Sequence, residues 1–139
     1  MKTRFEILES VLSIDDANEW LRNEQDGGVS LFVGNIRSVN KGKEVVRIDF
    51  EAYTEMVYSE LDKIAQSLSI KYRIHSVLLF HRVGSVYPGE SAVIAGVSAP
   101  HRKDAFEACI ELMDELKRVV PIWKKEVYSD GHTWISATP

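Results

Sequence analysis

Lys117 closes an apolar stripe near the end of a helical pattern. On a helix turning about 100° per residue, Arg102, Phe106, Cys109, Met113 and Lys117 share one side, each within about 60° of Arg102. In the ordinary reading the Lys117 ammonium snorkels to water and complements the negative end of the helix dipole. In the functional reading the amine stands in a partly dry pocket. Desolvation and nearby cations then lower its pKa, so that proton transfer or nucleophilic attack becomes available near neutral pH. Periodicity alone leaves both open.

Other candidates have the same two sides. His101-Arg102 opens the same helix, where unpaired backbone N–H groups and the dipole favour an anion such as phosphate or carboxylate. There a histidine can also simply cap, and an arginine can pair with Asp104 or Glu107 on the surface. Lys124 and Lys125 follow Trp123 on an expected strand, so they point to opposite faces and at most one enters a given pocket. Arg37 follows a strand ending Gly34-Asn35-Ile36, a position that suits a binding loop or a solvated arginine equally. His81-Arg82 is ambiguous in the same way. Cys109 and Met113 lie on the packed side of the helix and read first as core, with Met113 also placed to line a pocket beside Lys117.

The whole chain constrains what those residues can serve. It has 139 residues, 45% hydrophobic and 27% charged, which fits one globular domain over 1–139 rather than two cores. A formal net charge of -4 argues against a general nucleic-acid binder, whose affinity would rest on clustered lysine and arginine. A cleft can still gather a few cations for a small anionic substrate. No apolar run approaches a membrane span, and the start, Met1-Lys2-Thr3-Arg4-Phe5-Glu6, lacks the apolar stretch of a signal peptide, so a cytoplasmic location is expected. The single cysteine, Cys109, can form neither an internal disulfide nor a cysteine metal cluster.

The elements that must position these groups follow from periodicity and breakers. Phe5 to Leu8 reads as a strand, and Ser13-Ile14-Asp15-Asp16 as a helix start. Val29 to Ile36 and Val45 to Tyr53 read as strands that could pair as a hairpin around Asn40-Lys41-Gly42-Lys43. Thr54 is expected to cap a second helix that carries Met56, Val57, Leu61, Ile64 and Leu68. Arg73 to Val83 and Ser91 to Val97 form two more strands around Pro88-Gly89. The third helix runs from Arg102 to about Val119 and stops at Pro121. A final hairpin, Ile122 to Tyr128 and Thr133 to Ser136, turns at Ser129-Asp130-Gly131. The expected fold class is α+β, with a mostly antiparallel sheet and about three helices.

The candidate residues fall in ordered blocks. These are Phe32-Val33-Gly34 with Arg37; Glu51-Ala52-Tyr53 with Met56; His81-Arg82-Val83-Gly84; His101-Arg102 with Ala105-Phe106; and Leu116-Lys117 with Pro121-Ile122-Trp123-Lys124-Lys125-Glu126, Asp130-Gly131 and Trp134. Along nearly its whole length the chain thereby resembles the large, catalytic subunits of molybdopterin synthase. That resemblance implies an α/β-hammerhead-like domain with a small β subdomain. It implies a homodimer of large subunits within a heterotetramer, each receiving the C-terminal tail of a small ubiquitin-like subunit that ends in a thiocarboxylate. The implied substrate is cyclic pyranopterin monophosphate, which two sulfur transfers convert to the dithiolene of molybdopterin, with no metal or cofactor required. Carried onto matching positions, Lys117 and Lys124 are the catalytic lysines. Arg37, His101 and Arg102, with Met113 and Lys125, bind substrate or the incoming tail. A noncatalytic module for a ubiquitin-like partner and a Schiff-base lysine enzyme are the competing readings.

Overall fold

The computed structural model describes residues 1–139. Its elements are β1 (Lys2–Leu8), α1 (Ile14–Leu21), β2 (Gly28–Asn35), β3 (Val39–Asn40), β4 (Lys43–Ala52), α2 (Thr54–Lys71), β5 (Ser76–Arg82), β6 (Gly84–Val86), β7 (Ser91–Ala99), α3 (Arg102–Val119), β8 (Ile122–Tyr128) and β9 (Thr133–Ser136). The three helices and largely antiparallel pairing are those of an α+β fold, as expected from the sequence. No helix is long and apolar enough to cross a membrane.

The first sheet has the order β1-β5-β7-β2, parallel between β1 and β5 and antiparallel elsewhere. Its central strands, Ser76–Arg82 and Ser91–Ala99, are buried nearly throughout because helices cover both faces. Alternation along β5 divides the core. Val77 and Leu79 pack on the side of α2 and α3, whereas Leu78 and Phe80 join Ala17 and Leu21 of α1 on the other. Gly96 in β7 makes room for α1, since a Cβ there would collide with the Leu21 side chain. Ser13 caps α1 by accepting a hydrogen bond from the Asp16 N–H at 3.1 Å.

The second sheet has the order β3-β4-β8-β9, with β6 also pairing with β4. Strands β3 and β4 join through Lys41 and Gly42, both with positive φ (53° and 75°), the signature of a tight two-residue hairpin turn. The expected hairpin between Val29–Ile36 and Val45–Tyr53 does not form. Instead β2 pairs with β7 and β4 with β8, so the two strands belong to different sheets. Burial explains the choice: β2 needs the apolar β7 beside it, and β4 supplies the edge against which β8 folds back. Two helix details also differ. Thr54 is the first residue of α2 rather than its cap, and Met56 is 57% exposed rather than part of the core.

Candidate functional site

Cations from three separate elements line one cavity of about 250 Å³: Arg37 after β2, Lys117 on α3 and Lys124 on β8. Its apolar wall includes Phe50 of β4 and Met113 and Leu116 of α3. The chain path explains why the two amines meet. Helix α3 ends at Val119, and its last turn closes through the Val120 N–H, which donates to the Leu116 carbonyl at 3.2 Å. Pro121 cannot extend that ladder, so the chain reverses at once into β8. Lys117, on the last helical turn, and Lys124, early on β8, are thereby folded to the same end of the molecule.

Strand alternation then sorts the β8 side chains. Lys124 sits opposite Phe50, and Lys125 opposite Asp49. Lys124 and Glu126 line the cavity, whereas Lys125 is exposed and does not. Glu126 is buried and held on several sides. The Tyr128 hydroxyl donates to it at 3.0 Å, the Asn40 amide donates at 3.4 Å, and the Lys124 ammonium lies 3.9 Å away. Arg37 donates to the Asn40 side-chain oxygen Oδ1 at 3.2 Å, so a polar chain runs from Arg37 through the Asn40 amide to Glu126 and Lys124. A buried carboxylate needs such partners, and here they fix the Lys124 side of the cavity. Lys117 has no carboxylate within ion-pair distance and is exposed, a more open setting than the partly dry pocket expected for it.

The cavity floor carries a group of a different kind. His81, at the end of β5, continues the face of Val77 and Leu79 and is only 2% exposed. Its Nδ1 lies 2.8 Å from the Arg82 carbonyl oxygen, and its ring meets Phe50 edge-on at 5.0 Å. Burial pushes its pKa down to about 4, so the imidazole is neutral at physiological pH.

The other sequence candidates lie elsewhere. His101 and Arg102 are exposed at the start of α3 and do not line the cavity. At about 1.5 Å per residue, the fifteen-residue separation puts Arg102 roughly 22 Å along the helix axis from Lys117. His101 forms no side-chain cap, and Arg102 pairs with neither Asp104 nor Glu107; the ion pair at that end is Lys103–Glu107, at 4.0 Å. Cys109 is buried, its thiol pKa raised by burial, as suits a core residue.

Residues 7–119 match the family described as MoaE protein, which spans Arg37, His81, His101, Arg102, Met113 and Lys117. The chain belongs to the MoaE family. Curated relatives of this MoaE chain are named molybdopterin synthase catalytic subunit, so the family is one of enzymes acting in molybdenum cofactor biosynthesis. The Mycobacterium tuberculosis catalytic subunit 1 is 42% identical, covering 92% of this chain and 87% of its own length. The Bacillus subtilis protein is 36% identical, covering 95% and 84%. Among solved structures, molybdopterin synthase from Staphylococcus aureus superposes with a TM-score of 0.89 at 33% identity, covering 95% of this chain and 96% of that one.

Sequence reasoning singled out the cations of this MoaE site but not the groups that hold them. Glu126 lies two residues beyond Lys124, and strand alternation alone places it on the same face. Asn40 carried no comparable signal, and His81-Arg82 read as ambiguously as Arg37 did. Their places depend on how β3, β4 and β5 assemble.

Proposed function

We propose that this chain converts cyclic pyranopterin monophosphate to the dithiolene of molybdopterin, with sulfur delivered by the C-terminal thiocarboxylate of a small ubiquitin-like subunit. The observation that carries the reading is the shared cavity of Arg37, Lys117 and Lys124. Three cations against an apolar wall suit a phosphate-bearing heterocycle and an incoming thiocarboxylate, and they stabilise negative charge that develops as sulfur attacks. Proton transfer falls to the lysines as carbon–oxygen bonds give way to carbon–sulfur bonds. Lys124 is paired with Glu126 at 3.9 Å, whereas Lys117 has no such partner and is free to turn toward a ligand. The setting would be the cytoplasm.

A homodimer through α3 and the β2 edge accounts for His101 and Arg102. Phe106 and Ile110 on α3 and Phe32 on β2 are 57%, 63% and 45% exposed, and they line an apolar groove that shares Met113 and Lys117 with the cavity. Strand β2 is the edge of its sheet, open to further pairing. With its two-fold axis across α3, an interface on this face runs the two α3 helices in opposite directions. The Arg102 end of one helix then approaches the Lys117 end of its partner, and the anion-binding pair serves the cavity of the neighbouring subunit.

The test is to mix the purified chain with a thiocarboxylated small subunit and cyclic pyranopterin monophosphate and to follow dithiolene formation. Product is expected from the wild type and not from Lys117→Ala, with subunit association unchanged. A complex that assembles without producing dithiolene points to the noncatalytic binding module. Borohydride trapping of a carbonyl compound on Lys117 points instead to Schiff-base chemistry.

A further inference from the structure

The cavity contains one side chain whose chemistry the lysines and Arg37 do not explain. His81 is neutral, and because a carbonyl oxygen can only accept, its contact with Arg82 requires the proton on Nδ1. Nε2 is then a lone-pair acceptor, and no protein group donates to it. The polar side-chain atoms that are sealed from solvent without a partner are Ser76 Oγ, Arg82 Nε and Ser98 Oγ. Nε2 of His81, equally unpartnered, is not among them, so it is open to the cavity that the ring lines. The ring cannot swing away, because Nδ1 is tied to the backbone and Phe50 lies against its edge.

Three side-chain acceptors that line the cavity are already engaged. The Asn40 oxygen accepts from Arg37, the Asn35 oxygen accepts from the Ser91 hydroxyl at 2.7 Å, and Glu126 accepts from Tyr128 and Asn40. The Arg37, Lys117 and Lys124 side chains are donors only and suit the anionic part of a ligand. A nitrogen heterocycle also carries N–H groups that must find acceptors once water is displaced.

We infer that His81 Nε2 accepts a hydrogen bond from a ring N–H or amino group of the heterocyclic substrate and sets that ring's orientation beneath Lys117 and Lys124. His81 is thus a specificity-determining residue that reads the heterocycle, while the cations read its phosphate. The inference rests on the cavity being the substrate site, as proposed above. A residue that only braced the fold would act through Nδ1 and Arg82, and that difference makes the two roles separable.

Three substitutions separate them. His81→Asn keeps a donor near the Nδ1 position for the Arg82 carbonyl but withdraws from the cavity. His81→Gln places an amide oxygen near the Nε2 position, and His81→Phe keeps the ring without either nitrogen. Affinity for cyclic pyranopterin monophosphate would be measured by calorimetry, with the melting temperature of each variant. His81→Gln should bind within about threefold of wild type, and His81→Asn and His81→Phe should bind roughly tenfold or more weakly, with His81→Asn melting close to wild type. Wild-type affinity in His81→Asn, or loss only in His81→Gln, overturns the inference. Long-range ¹H–¹⁵N NMR of the wild type adds a direct readout that needs no variant to fold. The Nε2 resonance should move upfield when the ligand saturates the site, and an unmoved resonance with bound ligand overturns this inference alone. A wild-type chain that fails to bind the compound overturns the proposed function as well.

Discussion

The two ends of α3 both carry cations, yet they face different surroundings. At the C-terminal end, Lys117 joins Arg37 and Lys124 around a walled cavity whose polar groups are cross-linked through Asn40, Glu126 and Tyr128. At the N-terminal end, His101 and Arg102 stand exposed, with no carboxylate partner, and line neither that cavity nor the apolar groove beside it. Between them runs a stripe in which Phe106 and Ile110 face solvent instead of the core. On the proposed reading, the first place holds the substrate and the second completes a neighbour's site, and the apolar stripe is the surface that would join the two subunits.

The comparison breaks most decisively at Lys117. Replacing it with alanine should lower dithiolene formation by about 10²- to 10⁴-fold, the usual scale for a proton-transferring side chain. Its melting temperature should stay near that of the wild type, because an exposed substitution shifts stability by no more than about 0.5 kcal/mol. Leu112, five residues earlier on the same helix, is fully buried in the main core and does not line the cavity. Leu112→Ala should reverse the pattern, costing roughly 2–5 kcal/mol of stability as measured by denaturant unfolding. If both variants lost activity and stability together, the cavity end would be a packing feature rather than a site.

This contrast was partly legible in the residues. The span of α3 and the opposite facing of Lys124 and Lys125 followed from periods of 3.6 and 2, which are local properties of the chain. The pairing of β2 was not, because its partner β7 lies more than fifty residues away and nothing local prefers it to β4. Grouping His101 and Arg102 with the lysines neglected helix length: residues on one face can still be some 22 Å apart. His81 stayed ambiguous because its meaning comes from Phe50 and the cavity, both set by tertiary assembly.

His81 sharpens the comparison through pH. Burial holds the folded imidazole at about 4, below the 6.5 of a free histidine. Above pH 6.5 both folded and unfolded chains carry it neutral, and the full stability is present. As pH falls from 6.5 toward 4, the unfolded chain takes up a proton that the folded chain refuses, so stability is lost, by up to roughly 3 kcal/mol. Urea unfolding of His81→Gln across that window should give a flatter profile than the wild type. Equal slopes would mean that the imidazole is not held neutral beneath the cavity.

The smallest effect tests the other end of α3. Arg102→Ala should weaken turnover by about tenfold, the scale of one lost charge-assisted contact of about 1.5 kcal/mol. That figure alone does not say whose cavity Arg102 serves, but mixed dimers do. In a dimer of one Lys117→Ala and one Arg102→Ala subunit, an arginine acting across the interface leaves one cavity with both defects and the other with neither. Co-expressing the two variants under different tags and purifying the mixed dimer should therefore recover about half of the wild-type turnover per dimer. An arginine acting within its own chain leaves one cavity dead and one weakened, so turnover stays near a twentieth. That outcome would place His101 and Arg102 outside the partner's site and remove the reason for reading the apolar stripe as a two-fold interface.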